Sequence, residues 1–286
     1  MSRILVLGAN GMLGSNVTRK AKTAGHQVVA LDLVDIDLTK NSAEKVIQDS
    51  APEIIINCAA YTAVDKAQSE PELAMEVNAE GVRRIASAAK RLNCFVIHYS
   101  TDYVFDGMRS QGYHEFDEPA PLSVYGQSKL KGEQYLTTIL PESQYLLLRT
   151  AWLYGPNGKN FVTTMIALAN RDQPIRVVHD QIGCPTYTDD LSQWTLDLFN
   201  RNKSGLYHAV NSGICSWFDF AKTIYEKIGR TVDRLEAIPS SEYPTPAKRP
   251  SFSILQNTRL QKDLGYDIRK WPEALSDFLS SSILTT

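Results

Sequence analysis

The sequence predicts an α/β protein built on a doubly wound parallel sheet, and two patterns indicate this fold. Short apolar runs alternate with longer segments of helical spacing over the first half of the chain, which is the order of a β-α-β series. The apolar runs are continuous rather than alternating, so both faces of each strand are expected to be buried. A smaller lobe is expected to follow, which divides the chain into residues 1–150 and residues 151–286, with some later elements returning to the first part.

Each element of the first part is assigned from one of these runs. Predicted strands cover residues 4–7, 28–31, 53–57, 94–99 and 145–149, and predicted helices cover residues 12–24, 42–49 and 70–91 and a segment that begins near residue 122. The second part is expected to hold separate helices at residues 160–170, 189–200 and 217–228 and a proline-rich stretch at residues 239–250. Strands followed by helices in this order favour parallel pairing.

Composition excludes several classes of protein. The 286 residues carry a net charge of -2, which provides no positive field for a nucleic acid or an anionic membrane, and neither is expected as a partner. The four cysteines are far apart, without zinc-site spacing or a disulfide framework, so we expect no metal site, reduced thiols and a cytoplasmic protein. The apolar run before Gly8 is too short for a signal peptide or a membrane span.

Three glycines follow the first predicted strand with the spacing of a dinucleotide-binding turn. Gly8, Gly11 and Gly14 lie where the strand passes into a helix, which is the context that this motif requires. Glycine allows a tight turn and lets backbone approach a pyrophosphate, whose charge meets the N–H groups at the helix start, Met12 and Leu13. An ordinary glycine-rich turn is the alternative.

An acidic residue ends the second predicted strand at the position expected for a ribose contact. Asp32 lies 18 residues past Gly14, where a carboxylate binds the adenosine ribose hydroxyls, and this favours NADH over NADPH. NADPH stays open if a basic group such as Arg19 or Lys20 reaches the ribose. Further cofactor contacts are expected from Asp37, Leu38, Ala59, Ala60 and Thr62, for which simple loop packing is an equal alternative.

The fourth predicted strand and the helix after it carry candidate catalytic side chains. Tyr125 and Lys129 are four residues apart on a helix and therefore share a face. A phenol can protonate a carbonyl when a nearby ammonium stabilises the phenolate, and the lysine can also hold the nicotinamide ribose. Thr101, or alternatively Ser100, ends a buried strand where ligands bind in such sheets. Tyr266 repeats the tyrosine–lysine spacing with Lys270, but no glycine turn precedes that pair.

These motifs make the chain similar to the dTDP-4-dehydrorhamnose reductase family, of the extended short-chain dehydrogenase type. Besides the residues above, the resemblance is carried by the segments at residues 149–154, 160–161, 180–186 and 243–250, and it covers nearly the whole length. It implies reduction of the C4 ketone of dTDP-4-dehydro-L-rhamnose with NADPH or NADH, the last step of dTDP-L-rhamnose synthesis. Residues 1–150 are then the Rossmann domain that binds the dinucleotide, and residues 151–286 are mainly the lobe for the sugar nucleotide.

The resemblance also implies roles for individual residues. Tyr125 corresponds to the proton donor, Lys129 to its partner and Thr101 to a hydroxyl that tunes the reaction. Asp102 and Trp152 match positions that face the sugar, where a flat indole ring suits the apolar side of a deoxysugar. Weaker substrate-binding candidates are Val64, Asn160 and Gln181, and Arg249 matches the pyrophosphate and base side of the pocket.

Two alternative functions come from the same resemblance. One is a non-catalytic, NADP-binding regulatory subunit similar to the β-subunit of methionine adenosyltransferase. The other is a sugar-nucleotide epimerase or dehydratase, although Thr101-Asp102-Tyr103 lacks the paired Asp-Glu of dehydratases. Some family members dimerise around Mg²⁺ through acidic residues near the C-terminus, whereas residues 280–286 carry no carboxylate side chain. We therefore expect no Mg²⁺-linked dimer, and a monomer or weak homodimer instead.

Overall fold

A computed structural model of the chain describes residues 1–171 and 173–283. Its strands are β1 (Arg3–Leu7), β2 (Gln27–Leu31), β3 (Ile54–Asn57), β4 (Phe95–Thr101), β5 (Tyr145–Thr150), β6 (Leu153–Tyr154), β7 (Ile175–Val178), β8 (Ile182–Gly183), β9 (Thr186–Tyr187), β10 (Gly205–His208), β11 (Cys215–Ser216) and β12 (Leu235–Ile238). The last three residues of the carboxylate-free tail lie outside the described part. No helix in the described ranges combines the length and apolarity that a membrane span needs.

The helices follow the predicted alternation. They are α1 (Met12–Thr23), α2 (Ser42–Asp49), α3 (Pro71–Met75), α4 (Gly81–Leu92), α5 (Val124–Ile139), α6 (Phe161–Leu168), α7 (Thr188–Asn200), α8 (Trp217–Lys227), α9 (Thr258–Leu264) and α10 (Trp271–Ile283).

A six-stranded parallel sheet forms the centre of the molecule, in the order β10-β5-β4-β3-β1-β2. The predicted doubly wound α/β fold is confirmed. The chain winds from β1 outward to β2 and then returns to place β3 on the other side of β1. Ligands of such sheets bind at this reversal, beyond the carboxyl ends of the strands. The loops after β1 and β3 therefore meet at the edge where a cofactor site is expected.

The two sheet faces explain why the strands read as continuous apolar runs. Ile4 and Val6 of β1 belong to the same buried cluster as Val17 of α1. The intervening Leu5 and Leu7 belong to a second cluster, which lies on the other face with α2 and α4. Because successive side chains of a strand point to opposite faces, two covered faces require apolar residues at every position.

The chain after residue 150 contributes to both parts of the molecule. Its strand β10 pairs with β5 at the edge of the central sheet. Helix α7 packs against α1, where the side-chain amide of Asn16 donates to the Thr188 hydroxyl at 2.8 Å. Helices α6, α8 and α10 surround a separate aromatic core that includes Tyr154, Phe220 and Phe278. The division at residue 150 stays a prediction, and the return of β10 and α7 limits how separately the two parts can fold.

The predicted single helix over residues 70–91 is wrong in its middle. Helices α3 and α4 are joined by a π-helical turn at Glu76–Glu80, which periodicity does not reveal. The predicted fourth strand was also too short, because β4 continues to Thr101. The helix expected near residue 122 begins at Val124, after Ser123 accepts the Gly126 N–H at its N-cap.

We expect Gly14→Ala to lower the free energy of unfolding by about 1–3 kcal/mol, because a Cβ there would lie 2.1 Å from the Gly8 carbonyl oxygen. Gly11→Ala is the matched control, since its Cβ would lie 3.3 Å from the same oxygen. Denaturant unfolding measures both variants, and an equal loss in the two would contradict the close approach at Gly14.

Candidate active site

The glycine turn lies against the loop that follows β3. Gly8 has a φ of 72°, and a Cβ at this position would lie 2.7 Å from the backbone nitrogen of Ala59. Gly11 precedes α1 and provides no side chain to cap the N–H groups of Met12 and Leu13. The backbone at this turn is therefore bare, and the positive end of the α1 dipole can meet an anionic group.

A cavity of about 580 Å³ opens beside this turn. Seven of the predicted cofactor residues line it: Gly8, Gly11, Asp32, Asp37, Leu38, Ala59 and Ala60. Apolar lining residues that the sequence did not single out are Leu33, Ile36, Leu73 and Val77. Thr62 is exposed and is not among the lining residues, and the Leu13 side chain is buried in the core. A bare glycine turn and apolar walls fit a dinucleotide with a flat adenine ring.

Asp32 connects the end of β2 to the glycine turn. Its carboxylate accepts the N–H of Asn10 at 2.8 Å and the N–H of Leu33 at 2.8 Å. The basic groups considered for NADPH, Arg19 and Lys20, both form ion pairs with Asp189 of α7. The ribose role of Asp32 stays a prediction. Arg19 and Lys20 are both engaged by Asp189 in this structure and are not available to bind a 2′-phosphate.

The predicted catalytic residues come from two adjacent elements. Thr101 is the last residue of β4, and Tyr125 and Lys129 lie on the first turns of α5. The Lys129 ammonium donates to the Tyr99 carbonyl oxygen at 2.6 Å, and the Tyr125 ring packs edge-on against Tyr103. Thr101, Tyr125 and Lys129 are thus brought together at the carboxyl end of the sheet.

Burial changes the acidity of this group. It raises the pKa of Tyr125 to about 12, whereas a hydrogen bond with the Thr101 hydroxyl acts in the opposite direction. Burial lowers the pKa of Lys129 to about 8, and the negative charge of Glu133 counteracts it. The Tyr125 phenol is protonated at neutral pH, and the Lys129 ammonium on the same helix has a lowered pKa. A general acid requires a protonated group of this kind.

Asp102 follows Thr101 and is almost fully buried, with 2% of its surface exposed. Its Oδ1 accepts a hydrogen bond from the Thr101 hydroxyl at 2.8 Å. Burial raises the pKa of this carboxyl group to about 6, although hydrogen bonds from Ser253 and Thr101 lower it. Ser100, the alternative to Thr101, has a buried hydroxyl with no hydrogen-bond partner in the described part of the chain. The contacts therefore favour Thr101.

Asn78 in the π turn is a positioning residue that the sequence did not reveal. Its amide accepts the Tyr61 N–H at 2.8 Å and donates to the Tyr61 carbonyl and to the Ser128 hydroxyl, both at 3.0 Å. A Cβ on Gly132 of α5 would lie 2.2 Å from the Asn78 carbonyl oxygen. The π turn therefore holds the helix of Tyr125 against the loop that lines the cofactor cavity.

A second cavity, of about 660 Å³, lies between the loop after β3 and the second lobe. Two predicted substrate residues line it, Gln181 and Arg249. The Arg249 guanidinium forms an ion pair at 3.0 Å with Asp65, a residue next to the predicted Val64. The aromatic residues Phe161, Trp217 and Tyr243 also line this cavity, and none of the three was predicted as a ligand contact. Cationic and aromatic groups together suit a nucleotide diphosphate.

The predicted stacking of Trp152 on the sugar stays a prediction, and in this structure the protein itself covers the ring. The indole of Trp152 is stacked on Trp217, with ring centroids 3.5 Å apart and planes 7° from parallel. A Cβ on Gly183 would lie 2.4 Å from Cε2 and 2.7 Å from the two adjacent ring atoms, which places Gly183 over the ring face. Both groups touch the ring and therefore occupy opposite faces, so only an edge of Trp152 is available to a ligand.

Asn160 is also occupied by the protein itself. Its Nδ2 donates to the carbonyl oxygens of Gly155 and Gly158, and its Oδ1 accepts the Thr163 N–H at the start of α6. These bonds use its donors and cap the helix. Asn160 therefore has a structural role, and its predicted substrate contact stays a prediction.

The second tyrosine–lysine pair lies away from these cavities. The Tyr266 hydroxyl donates to Asp197 of α7, and its side chain is exposed. Residues 1–171 and 173–283 also hold no group of three or more His, Cys, Asp or Glu side chains placed to bind a metal ion.

Comparisons with known proteins point to a single family. The model of the RmlD substrate binding domain matches residues 1–283. A dTDP-4-dehydrorhamnose reductase from Aggregatibacter actinomycetemcomitans is 40% identical over 290 residues, which cover 97% of this chain and 98% of that protein. The spore coat polysaccharide biosynthesis protein SpsK of Bacillus subtilis is 39% identical over 280 residues, with 98% and 97% covered.

Solved structures show the same similarity. The dTDP-4-dehydrorhamnose reductase of Bacillus anthracis in complex with NADP has a TM-score of 0.93 at 39% identity, with 98% of this chain and 99% of that chain covered. The corresponding protein of Clostridium acetobutylicum has a TM-score of 0.93 at 40% identity, with 99% and 100% covered.

We expect Asp102→Asn to stabilise the protein at pH 8 and to have no effect at pH 4. The folded state binds the Asp102 proton more tightly than the ordinary pKa of 3.8 allows, so stability falls as the pH rises toward 6. A shift of this size corresponds to roughly 2–3 kcal/mol above pH 6. Thermal unfolding at both pH values measures it, with Asp49→Asn on exposed α2 as control; an unchanged or lower Tm at pH 8 would exclude the penalty.

Proposed function

The chain belongs to the RmlD substrate binding domain family, and on this premise we propose that it is a dTDP-4-dehydrorhamnose reductase. It reduces the C4 ketone of dTDP-4-dehydro-L-rhamnose to the alcohol of dTDP-L-rhamnose with NADPH or NADH. The observation that carries the proposal is the convergence of Thr101, Tyr125 and Lys129, where the charge of Lys129 also acts on Cys58 of the first cavity. This set alone does not exclude a regulatory subunit, and the retained Trp152 and the Arg249-Pro250 motif favour the sugar enzyme.

The residues around the first cavity fit a nicotinamide dinucleotide. The glycine turn and the N-terminus of α1 would hold the pyrophosphate, Asp32 the adenosine ribose, and Leu33 and Leu73 the adenine. When bound, the reduced cofactor supplies the hydride that becomes the new C4–H bond. The structure of the Bacillus anthracis relative with NADP supports use of this cofactor type.

Tyr125 supplies the proton in the proposed reaction. Its phenol protonates the ketone oxygen. The buried Lys129 ammonium stabilises the developing phenolate, and this interaction is stronger away from water. The Tyr99 carbonyl holds Lys129 in place at 2.6 Å, so the charge is oriented before the substrate enters. Loss of the lysine proton near pH 8 removes this stabilisation.

The second cavity is the proposed site of the dTDP moiety. Arg249 would bind the diphosphate, and Trp217 and Tyr243 provide apolar surface for the base or sugar. Gln181 adds a polar contact on the same wall. The two cavities share no lining residue, which supports separate sites for the two ligands.

Two further properties are proposals. The free thiols of Cys58, Cys94, Cys184 and Cys215 support a reducing compartment, and we place the enzyme in the cytoplasm. A monomer or weak homodimer remains the expected assembly.

Single-turnover mixing tests the function directly. Excess protein is mixed with dTDP-4-dehydro-L-rhamnose and NADPH, and separately with NADH, and cofactor oxidation is followed by absorbance. We expect oxidation within one turnover with at least one cofactor. Cofactor binding without oxidation of either would favour the regulatory subunit instead.

We expect Tyr125→Phe to lower kcat by about 10²–10⁴-fold with little change in cofactor affinity, because the ring still packs while the proton is lost. Tyr266→Phe is the matched control, since that hydroxyl binds Asp197 on the surface. Steady-state kinetics and cofactor titration measure both, and full activity of Tyr125→Phe would remove the tyrosine from the mechanism.

Asp32→Ala is expected to weaken NADH by about tenfold and NADPH less, because the lost carboxylate binds ribose hydroxyls but repels a 2′-phosphate. Asp49→Ala, on the exposed end of α2, serves as the control. Fluorescence titration gives both dissociation constants; equal losses for the two cofactors would assign Asp32 only to holding the Asn10 and Leu33 N–H groups.

Trp217→Ala is expected to raise the KM for the dTDP-sugar several-fold and to leave NADH binding unchanged, because Trp217 lines only the second cavity. Phe218→Ala, on the adjacent position of α8, controls for damage to the helix. A KM that is unaffected in Trp217→Ala would place the sugar nucleotide elsewhere.

A further inference from the structure

The Thr101 hydroxyl has two hydrogen-bond partners besides Tyr125. Its oxygen accepts the Tyr103 N–H at 3.2 Å, and its single proton is donated to Asp102 at 2.8 Å. Thr101 also lowers the pKa of Tyr125, which is the effect of a hydroxyl that donates to the phenolate. One proton cannot serve both acceptors. Thr101 can therefore stabilise the Tyr125 phenolate only when Asp102 no longer takes its proton.

A protonated Asp102 removes this conflict. A carboxylic acid can donate to the Thr101 oxygen, which frees the threonine proton to point toward Tyr125. We propose that Asp102 is a proton-holding residue that acts through Thr101 to replace the proton that Tyr125 gives to the substrate ketone. The inference rests on the proposed reductase function, and it gives Asp102 a role different from a contact with the sugar.

The relay moves three protons and no electrons. The Tyr125 O–H bond breaks as the ketone O–H bond forms, the Thr101 O–H bond breaks as that of Tyr125 re-forms, and the Asp102 O–H bond breaks as that of Thr101 re-forms. Asp102 ends as a carboxylate and regains its proton from water before the next turnover. The electron pair of the new C–H bond comes from the reduced cofactor.

The burial of Asp102 favours a neutral carboxyl group up to about pH 6. Only 2% of the residue is exposed, and this burial opposes ionisation of the carboxyl group, whereas hydrogen bonds from Ser253 and Thr101 favour the carboxylate. The titratable groups that face it are the phenols of Tyr103 and Tyr125 and the thiol of Cys184, all neutral at pH 7. Burial accordingly raises its pKa to about 6.

The pH dependence of kcat/KM tests the relay. In the wild type we expect kcat/KM to fall about tenfold across a step near pH 6, followed by the loss due to Lys129 near pH 8. Asp102→Asn should lack the first step and keep the second, because its amide can orient Thr101 but cannot release a proton. Thr101→Val should also lack the first step, and Thr101→Ser should restore it.

A solvent isotope measurement separates proton transfer from orientation. Single-turnover rates in mixtures of H₂O and D₂O should depend on deuterium content along a curve in the wild type, because several protons move together. The same plot should be linear in Asp102→Asn. Ser100→Ala, which removes the adjacent buried hydroxyl, should keep the curve and the step near pH 6.

A measurement without turnover completes the test. Infrared difference spectra of the protein alone should show a protonated carboxyl band that titrates near pH 6 and is absent from Asp102→Asn. A first step that persists in Asp102→Asn, a linear plot in the wild type, or a variant whose only change is a higher KM for the sugar would overturn the relay. Failure of the wild type to oxidise either cofactor would instead overturn the reductase function.

Discussion

The buried ammonium of Lys129 is the constraint on which the geometry of the site depends. A charge with 3% of its residue exposed is costly unless the protein supplies partners. The Tyr99 carbonyl provides one partner at 2.6 Å, and the field of Glu133 provides another. Glu133 is itself held by Arg149 of β5 through bonds of 2.7 and 3.0 Å. Helix α5, β4 and β5 must therefore stay in register for the lysine to remain charged.

Close backbone contacts keep helix α5 in this register. A Cβ on Gly126 would lie 2.2 Å from the Tyr103 carbonyl oxygen, and one on Gly132 would lie 2.2 Å from that of Asn78. The Asn78 side chain adds a hydrogen bond to Ser128, between Tyr125 and Lys129 in sequence. Direct contacts therefore hold together the π turn, helix α5 and the loop that lines the first cavity. In the proposed reaction, this arrangement orients the Tyr125 phenol before substrate binds.

Two predicted substrate residues of the second lobe, Trp152 and Asn160, make contacts within the protein that the sequence did not reveal. A tryptophan and an asparagine in a motif indicate that a position is constrained, but they do not say which group the side chain contacts. Trp152 has a φ of 48° and is packed between Trp217 and Gly183, and Asn160 satisfies backbone groups of its own loop. Each residue shapes the wall of the second cavity through its neighbours. Trp217 and Asp65, which belong to no strong motif, reach the cavity directly.

The sequence by itself determined the sheet, the glycine turn and the shared helix face of Tyr125 and Lys129, because each depends on local spacing. Apolar runs report burial on both faces of a strand, and a four-residue interval on a helix fixes which side chains are neighbours. Only the tertiary structure decided the contacts of Asn78 and Asp102, and the covered faces of Trp152, since those partners are distant in the chain or depend on hydrogen-bond direction. Periodicity records whether a side chain is buried, whereas its function depends on what it is buried against.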